Sequence, residues 1–272
     1  MEISFSSMFF HDHPLPLICS AVEKTQADTL EFWPETPDWW LAGLPMDYLT
    51  RTLAAHRFTS PLSLHAPVLD LNPCSINPDV AKVSTEWACW SVRLAEQLNA
   101  GVCTIHPGRR TSKRPPSDTD YRRLDQMLDT IAPLVKESGT RVAIENMEPQ
   151  VNALLSTPAE IARLLDEREW LSFTLDVCHA SSQGPEGLSE FITVGDDRIV
   201  NVHLSGASGY QMHLPVYGNE WAEVAIKTLL EAGYDGQVTL EINDLSVQTP
   251  LNADEKISVI ARDVACIRNY SG

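Results

Sequence analysis

The stretch LSFTLDVCHA (residues 171–180) contains the pattern that decides the fold. Residues 171–176 are mostly apolar, as in a strand that is buried on both faces of a parallel sheet. The apolar run ends at Asp176, and Cys178 and His179 follow it. Parallel α/β folds carry their chemistry at the carboxyl ends of the strands. A carboxylate and an imidazole at this point therefore predict a functional site.

Seven other segments have the same buried-strand character. They are EISFS (2–6), DTLEFW (28–33), LSLHA (62–66), VCTIH (102–106), RVAIE (141–145), IVNVHL (199–204) and VTLEI (238–242). Helical periodicity lies between most of them, and one helix places Tyr121, Leu124, Leu128, Ile131 and Val135 on one face. Eight strands that alternate with helices predict an α/β protein, a (β/α)8 TIM barrel with a single domain over residues 1–272.

Helix boundaries carry signals of their own. Thr157, followed by Pro158 and Glu160, forms a capping-box pattern at a helix start. Asn252 with Glu255 resembles a second capping box, and Gly233 is typical of a helix stop. These signals support the alternation of strands and helices.

Composition restricts the classes of partner. The formal net charge of −17 disfavours nucleic acid, because the average surface repels phosphate backbones. No stretch reaches the roughly 18 consecutive apolar residues of a membrane helix. Six cysteines without a C-x-x-C pair, and an N-terminus without signal-peptide features, predict a cytoplasmic protein. The sequence does not predict the oligomeric state.

The strand ends share one chemical property, since seven of the eight carry a group that binds metals or moves protons. These groups are Glu31, His65, His106, Glu145, Asp176, His203 and Glu241. A single aspartate after a strand is often a helix cap, and a single barrel histidine is often a hydrogen-bonded core residue. Several carboxylates at one barrel mouth, however, would repel one another unless cations lay between them. The set therefore predicts a divalent transition metal, and its imidazoles favour Zn, Mn, Co or Fe over Ca or Mg.

The loop at residues 107–118 (PGRRTSKRPPSD) stands out in composition because it holds Arg109, Arg110, Lys113 and Arg114. Two interpretations stay open, a solvated surface loop stiffened by proline and an anion-binding lid over the active face. Cys178, which no other cysteine accompanies in the same pattern, is interpreted as a small buried apolar residue.

The strand ends resemble a known family at seven places. These are LHAP (64–67), IHPG (105–108), IEN (144–146), LDVCH (175–179), VHLSG (202–206), HLPVYGNEW (213–221) and LEI (240–242). Together they resemble the xylose-isomerase-like TIM-barrel superfamily, which includes sugar and sugar-phosphate isomerases, epimerases and endonuclease IV. Resemblance to the ketose 3-epimerases of this superfamily implies that the chain binds one divalent ion. Its ligands would be Glu145, Asp176, His203 and Glu241. The resemblance also implies that His179 touches the substrate and that both glutamates act as acid and base.

The endonuclease IV members imply up to three zinc ions. Their first site would take His65 and His106 with Glu145 as a bridge, and their third would take His179 and His213. The third site also needs an aspartate two residues before His213, where this chain has Gln211. One ion per chain is therefore the main prediction, and up to three are allowed.

The function predicted from these observations is a metal-dependent isomerase or epimerase acting on a small sugar or sugar phosphate. Glu145 and Glu241 would transfer protons next to a metal-bound carbonyl. Arg109 is a candidate substrate contact, and Glu31 either contacts substrate or pairs with a nearby base. The alternatives are a zinc phosphodiesterase that cleaves abasic DNA and a non-catalytic metal-binding barrel.

Overall fold

The strands of the protein lie where the apolar segments predict them. The structure is a computed structural model that describes residues 1–243 and 250–271. Its strands are β1 (Glu2–Ser6), β2 (Thr29–Phe32), β3 (Ser63–His65), β4 (Val102–Ile105), β5 (Val142–Glu145), β6 (Ser172–Asp176), β7 (Ile199–Leu204), β8 (Gly206–Ser208), β9 (Gln211–Leu214) and β10 (Gln237–Leu240). All eight predicted strands are confirmed, with ends displaced by at most two residues.

The barrel is closed, in the strand order β1-β10-β7-β6-β5-β4-β3-β2, and helices separate its strands. The α-helices are α1 (Leu15–Thr25), α2 (Pro37–Trp40), α3 (Met46–Ala54), α4 (Pro78–Gln97), α5 (Asp118–Ser138), α6 (Pro158–Glu167), α7 (Gly184–Gly195), α8 (Glu220–Glu231) and α9 (Ala253–Ser271). Short 3-10 helices cover Ser7–Phe10, Ser181–Gln183 and Asp196–Arg198. The predicted α/β class and (β/α)8 TIM barrel are confirmed.

The chain forms two compact units, Met1–Ser63 with Asn201–Gly272, and Leu64–Val200. In the first unit, β1 pairs with β2 and β10, and Thr239 of β10 lies opposite His203 of β7. In the second unit, β5 pairs with β4 and β6, and Glu145 lies opposite Thr174. The prediction of a single domain over residues 1–272 stays a prediction.

The predicted residues at helix ends form the expected caps. Thr157 and Glu160 form a reciprocal capping box at the start of α6. Asn252 and Glu255 exchange the equivalent hydrogen bonds before α9. Gly233 follows the end of α8 with a φ of +75°, a conformation that glycine adopts without strain.

The predicted apolar face of α5 is buried at Leu124, Leu128, Ile131 and Val135, and is half-buried at Tyr121.

The antiparallel ribbon of β8 and β9 was not predicted, because its residues GAS and QMHL lack the apolar pattern of a buried strand. None of the helices in the described residues combines the length and the apolar character that crossing a membrane requires.

Candidate metal centre and active site

The strand ends of the second unit gather three histidines around one buried carboxylate, and we call His65, His106, Glu145 and His179 the Glu145 cluster. His65 Nε2 lies 3.4 Å and His106 Nε2 3.1 Å from Glu145 Oε2. His179 Nδ1 lies 3.4 Å from Glu145 Oε1. One ligand atom each from His65, His106 and Glu145 lie within 4.8 Å of one another. This spacing allows the three side chains to share one ion.

The hydrogen bond of His65 indicates which of its nitrogens could bind a metal. Its Nδ1 lies 2.8 Å from the carbonyl oxygen of Ala66, which only accepts hydrogen bonds, so Nδ1 carries the proton. In the neutral ring the lone pair is on Nε2, and it faces Glu145. Two electron-rich atoms at that separation repel unless a cation lies between them. The arrangement therefore fits a metal ion.

The neighbouring imidazole of His106 is also suited to metal binding. Burial lowers the pKa of His106 below its ordinary value, and this effect outweighs the opposite influence of Glu145. The ring centroid of His106 lies 4.9 Å from that of His65. A lowered pKa keeps the ring neutral near pH 7, and the neutral imidazole is the form that binds metals.

Asp176 and Asn146 hold this cluster to the ends of β5 and β6. The Asn146 side chain accepts from Asp176 N at 2.8 Å and donates to Asp176 O at 2.9 Å. Asp176 Oδ1 accepts from His179 N at 2.7 Å, so the carboxylate does form a local cap. Its Oδ2 lies 3.6 Å from His179 Nδ1. Both oxygens of Asp176 thus face the loop that carries His179, and Cys178 in that loop is fully buried, as predicted.

The strand ends of the first unit reverse this pattern, since one histidine lies between two carboxylates. We call Glu31, His203, His213 and Glu241 the His203 cluster. His203 Nε2 lies 3.1 Å from Glu31 Oε2, and His203 Nδ1 lies 3.0 Å from Glu241 Oε2. His213 Nδ1 is farther from Glu241, at 3.9 Å. Glu31 and His203 are fully buried, whereas Glu241 is partly exposed.

Polar side chains on the barrel strands surround the carboxylate of Glu31. Asn201 Nδ2 donates to Glu31 Oε2 at 2.9 Å, and Ser63 Oγ does so at 3.4 Å. A carboxylate that receives the Nε2–H of a histidine leaves Nδ1 as the atom available to a metal. This position suits Glu31 to orient His203. Its contact with substrate stays a prediction.

Arg109 lies on the wall of a cavity of about 420 Å³, together with His106 and His179. Its backbone is held by Asn72, whose side chain accepts from Arg109 N at 3.0 Å and donates to Arg109 O at 2.9 Å. Gly108 has a φ of +80°, and a Cβ there would lie 2.7 Å from Asn72 Oδ1. This position therefore requires glycine.

The four ligands expected for a single ion are divided between the two units, Glu145 and Asp176 in one and His203 and Glu241 in the other. That ligand set stays a prediction. Sequence reasoning missed the asparagines that support the site, Asn72, Asn146 and Asn201. Of these three, only Asn146 could have been found from the sequence, because it belongs to the family-like motif IEN.

Comparisons with known proteins agree with the fold. An uncharacterized protein of Methanocaldococcus jannaschii, MJ1188, is 31% identical, and the match covers 97% of each chain. A probable endonuclease 4 of Thermoplasma acidophilum is 30% identical over 53% of this chain and 51% of its own length.

Two solved structures show the same fold. The structure of a D-tagatose 3-epimerase-like protein has a TM-score of 0.76 and 22% identity, and all of both chains is covered. The IOLI protein with a bound zinc atom has a TM-score of 0.78 and 15% identity, and 98% of each chain is covered. The family model of the xylose isomerase-like TIM barrel matches residues 19–268, so the chain belongs to that family.

Proposed function

We propose that the protein is an enzyme, a metal-dependent isomerase or epimerase that acts on a small sugar. The observation that carries the metal dependence in this proposal is the Glu145 cluster, in which three histidines contact one buried carboxylate. Imidazole and carboxylate donors suit Zn²⁺, Mn²⁺, Co²⁺ or Fe²⁺. Two proteins with this fold, the D-tagatose 3-epimerase-like protein and the zinc-bound IOLI protein, support the substrate class and the metal.

The proposed ligands of one ion are Glu145, Asp176, His203 and Glu241. In a parallel barrel the carboxyl ends of all strands open on one mouth, so we expect these strand-end residues to meet there. A second ion would use His65 and His106, with Glu145 as a bridge. A third, at His179 and His213, would require Gln211 or water in place of a carboxylate.

The chemistry that follows is proton transfer next to a carbonyl group. When bound, the ion would polarise that carbonyl and stabilise the negative charge that develops on oxygen. One of Glu145 and Glu241 would remove the adjacent proton, and the other would return a proton. In an epimerase the two glutamates act on opposite faces of the sugar.

Two further residues would bind the substrate in this proposal. His179 Nδ1 lies 2.8 Å from the carbonyl oxygen of Asn146 and so carries the proton, which leaves Nε2 to accept a hydrogen bond from a sugar hydroxyl. Arg109, on the wall of the adjoining cavity, would contact the part of the substrate that lies away from the reacting carbon.

The test is proton exchange. The purified protein, loaded in turn with Mn²⁺, Co²⁺ and Zn²⁺, is incubated with a panel of free ketoses in D₂O, and NMR measures deuterium at the carbons next to the carbonyl. We expect metal-dependent incorporation with at least one ketose, and its loss in Glu241→Gln. Absence of exchange with every sugar and metal would contradict the proposal.

The second candidate is cleavage of abasic DNA. The grouping of His65, His106 and Glu145 favours it, as does the name of the relative from Thermoplasma acidophilum. The net charge of −17 opposes it. Nicking of an abasic duplex by the same metal-loaded protein, without ketose exchange, would select this function instead.

A further inference from the structure

A cavity of about 420 Å³ is lined by His106 and His179 and by residues of the loops that follow β3, β4 and β5. Helices α4 and α5 contribute Ala88 and Met127 to its lining. All of its lining residues belong to the unit Leu64–Val200. The cavity therefore begins at the proposed reaction site and continues beyond it.

Just over half of the residues that line this cavity are apolar. Val68, Leu71 and Met147 line it from the loops, and Ala88 and Met127 line it from the helices. Aliphatic and thioether groups form no hydrogen bonds that could replace those between a sugar hydroxyl and water. Against these apolar side chains a sugar hydroxyl would lose hydration without compensation, whereas an alkyl or aromatic group would gain from burial. Polar side chains line the rest of the cavity.

The charges on the cavity wall disfavour a phosphate group. The structure describes all four basic residues of the loop 107–118, and among them Arg109 alone lines the cavity. Arg110 donates instead to Pro115 O at 2.6 Å and to Ser112 Oγ at 3.1 Å. Two carboxylates, Asp70 and Glu148, lie on the same wall as Arg109. A phosphate would meet one cation and two anions, so electrostatics oppose its binding.

The loop that borders the cavity is held in place before any ligand binds. Asn72 fixes the backbone of Arg109 through two hydrogen bonds. Asn152 does the same for Arg110, because its Nδ2 donates to Arg110 O at 2.8 Å and its carbonyl oxygen accepts from Arg110 N at 2.9 Å. A preformed wall lowers the ordering cost of binding.

We propose that the substrate is an uncharged sugar derivative whose hydroxylated end meets His106 and His179 and whose apolar substituent occupies this cavity. The inference rests on the proposed function, because it takes the sugar end to be the part that reacts. It adds that the substrate carries an alkyl or aromatic group and no phosphate.

The test measures binding of n-alkyl β-D-glucosides to the metal-loaded protein by isothermal titration calorimetry. Methyl, butyl and hexyl glucosides share one sugar and differ only in apolar length. Complete burial tightens binding about fourfold per methylene, and this cavity is open at one end, so we expect hexyl glucoside to bind at least about tenfold more tightly than methyl glucoside. Glucose 6-phosphate is expected to bind no more tightly than glucose.

Two substitutions assign the effect to this cavity. Met147→Gln keeps the length of the side chain and makes it polar, and it should reduce the preference for hexyl over methyl glucoside at least threefold. Met46→Gln is the matched control, since Met46 is half-buried outside the cavity and its change should leave the preference as it is. Ala88→Leu fills part of the cavity and should weaken hexyl glucoside more than methyl glucoside.

The outcomes separate this inference from the proposed function. Three results would each overturn the inference, even when ketose exchange is observed. They are equal affinities for the three glucosides, no measurable binding of hexyl glucoside, and tighter binding of glucose 6-phosphate than of glucose. A clear preference for hexyl glucoside without any metal-dependent exchange would support the apolar cavity and contradict the isomerase function.

Discussion

The Glu145 cluster and the His203 cluster use the same residue types in opposite arrangements. In the first, three imidazoles lie within 3.4 Å of one carboxylate. In the second, one imidazole lies within 3.1 Å of two carboxylates, Glu31 and Glu241. The first cluster therefore has three imidazoles around one carboxylate, whereas in the second His203 lies between two carboxylates and His213 lies farther from Glu241.

This difference indicates different tasks for the two clusters. His203 has one nitrogen directed to a buried carboxylate, which fixes the orientation of its ring and increases its basicity. Glu145 is the one carboxylate that all three histidines of its cluster contact, so their geometry depends on it. Loss of Glu145 should therefore affect metal binding more than loss of Glu31.

The loops beside the two clusters are also held differently. Next to the Glu145 cluster, neutral amide side chains of Asn72 and Asn152 hold the backbone. In the unit of the His203 cluster, Asp263 accepts from Val216 N at 2.9 Å and Tyr217 N at 2.8 Å. An ionisable group holds this second loop, so its support depends on pH.

The largest effect is expected from Glu145→Gln. It removes the single charge that the three histidines contact, so we expect the variant to lose at least one metal ion per chain relative to the parent protein. Elemental analysis after dialysis against metal-free buffer measures this. Glu148→Gln, the same exchange three residues away, should keep the parent metal content. An equal metal content in Glu145→Gln would remove Glu145 from the metal centre.

The second effect concerns the pH dependence of stability. Burial raises the pKa of Asp263 from 3.8 to about 6, so the folded state binds this proton more tightly than the unfolded state. Its contribution to stability is complete below about pH 4 and is lost as the pH rises through 6, a change of about 3 kcal/mol. Asparagine does not ionise, so the variant Asp263→Asn does not lose stability in this way as the pH rises.

Urea unfolding of parent and Asp263→Asn at several pH values between 4 and 7 measures the difference. The free energy of unfolding of the variant should rise relative to that of the parent across this range. A difference that does not change with pH would show that Asp263 keeps an ordinary pKa.

The smallest effect is expected from Glu31→Gln, which removes the charge opposite His203 Nε2 and preserves the size of the side chain. Loss of such a supporting partner lowers metal affinity about 10- to 100-fold. Competition with a fluorescent zinc chelator measures this affinity. Glu35→Gln is the control, because Glu35 is also buried and its carboxylate accepts from Trp33 Nε1 at 2.6 Å. An unchanged affinity in Glu31→Gln would contradict the orienting role.

Most of the barrel was predictable because its strands are short apolar runs, and such a run indicates a buried strand without knowledge of the rest of the fold. The segment LSFTLD became β6, and Asp176 ends it as predicted. The ribbon of β8 and β9 was not predicted because these partly exposed strands lack the apolar run of a buried strand. The positions of Glu145 and His203 near strand ends were also predictable, since they follow once the strands are assigned, whereas their roles stay a prediction.

The amino-acid sequence alone was sufficient for the fold class, for the position of each barrel strand and for the residue types at the strand ends. Only the tertiary structure decided which residues meet. Glu145 contacts three histidines, Glu31 contacts His203, and Arg109 alone among the four basic residues of its loop lines the cavity. The reason is physical. Burial and capping depend on neighbours along the chain, whereas these contacts join residues up to 172 positions apart, whose distances are set by the packing of whole strands.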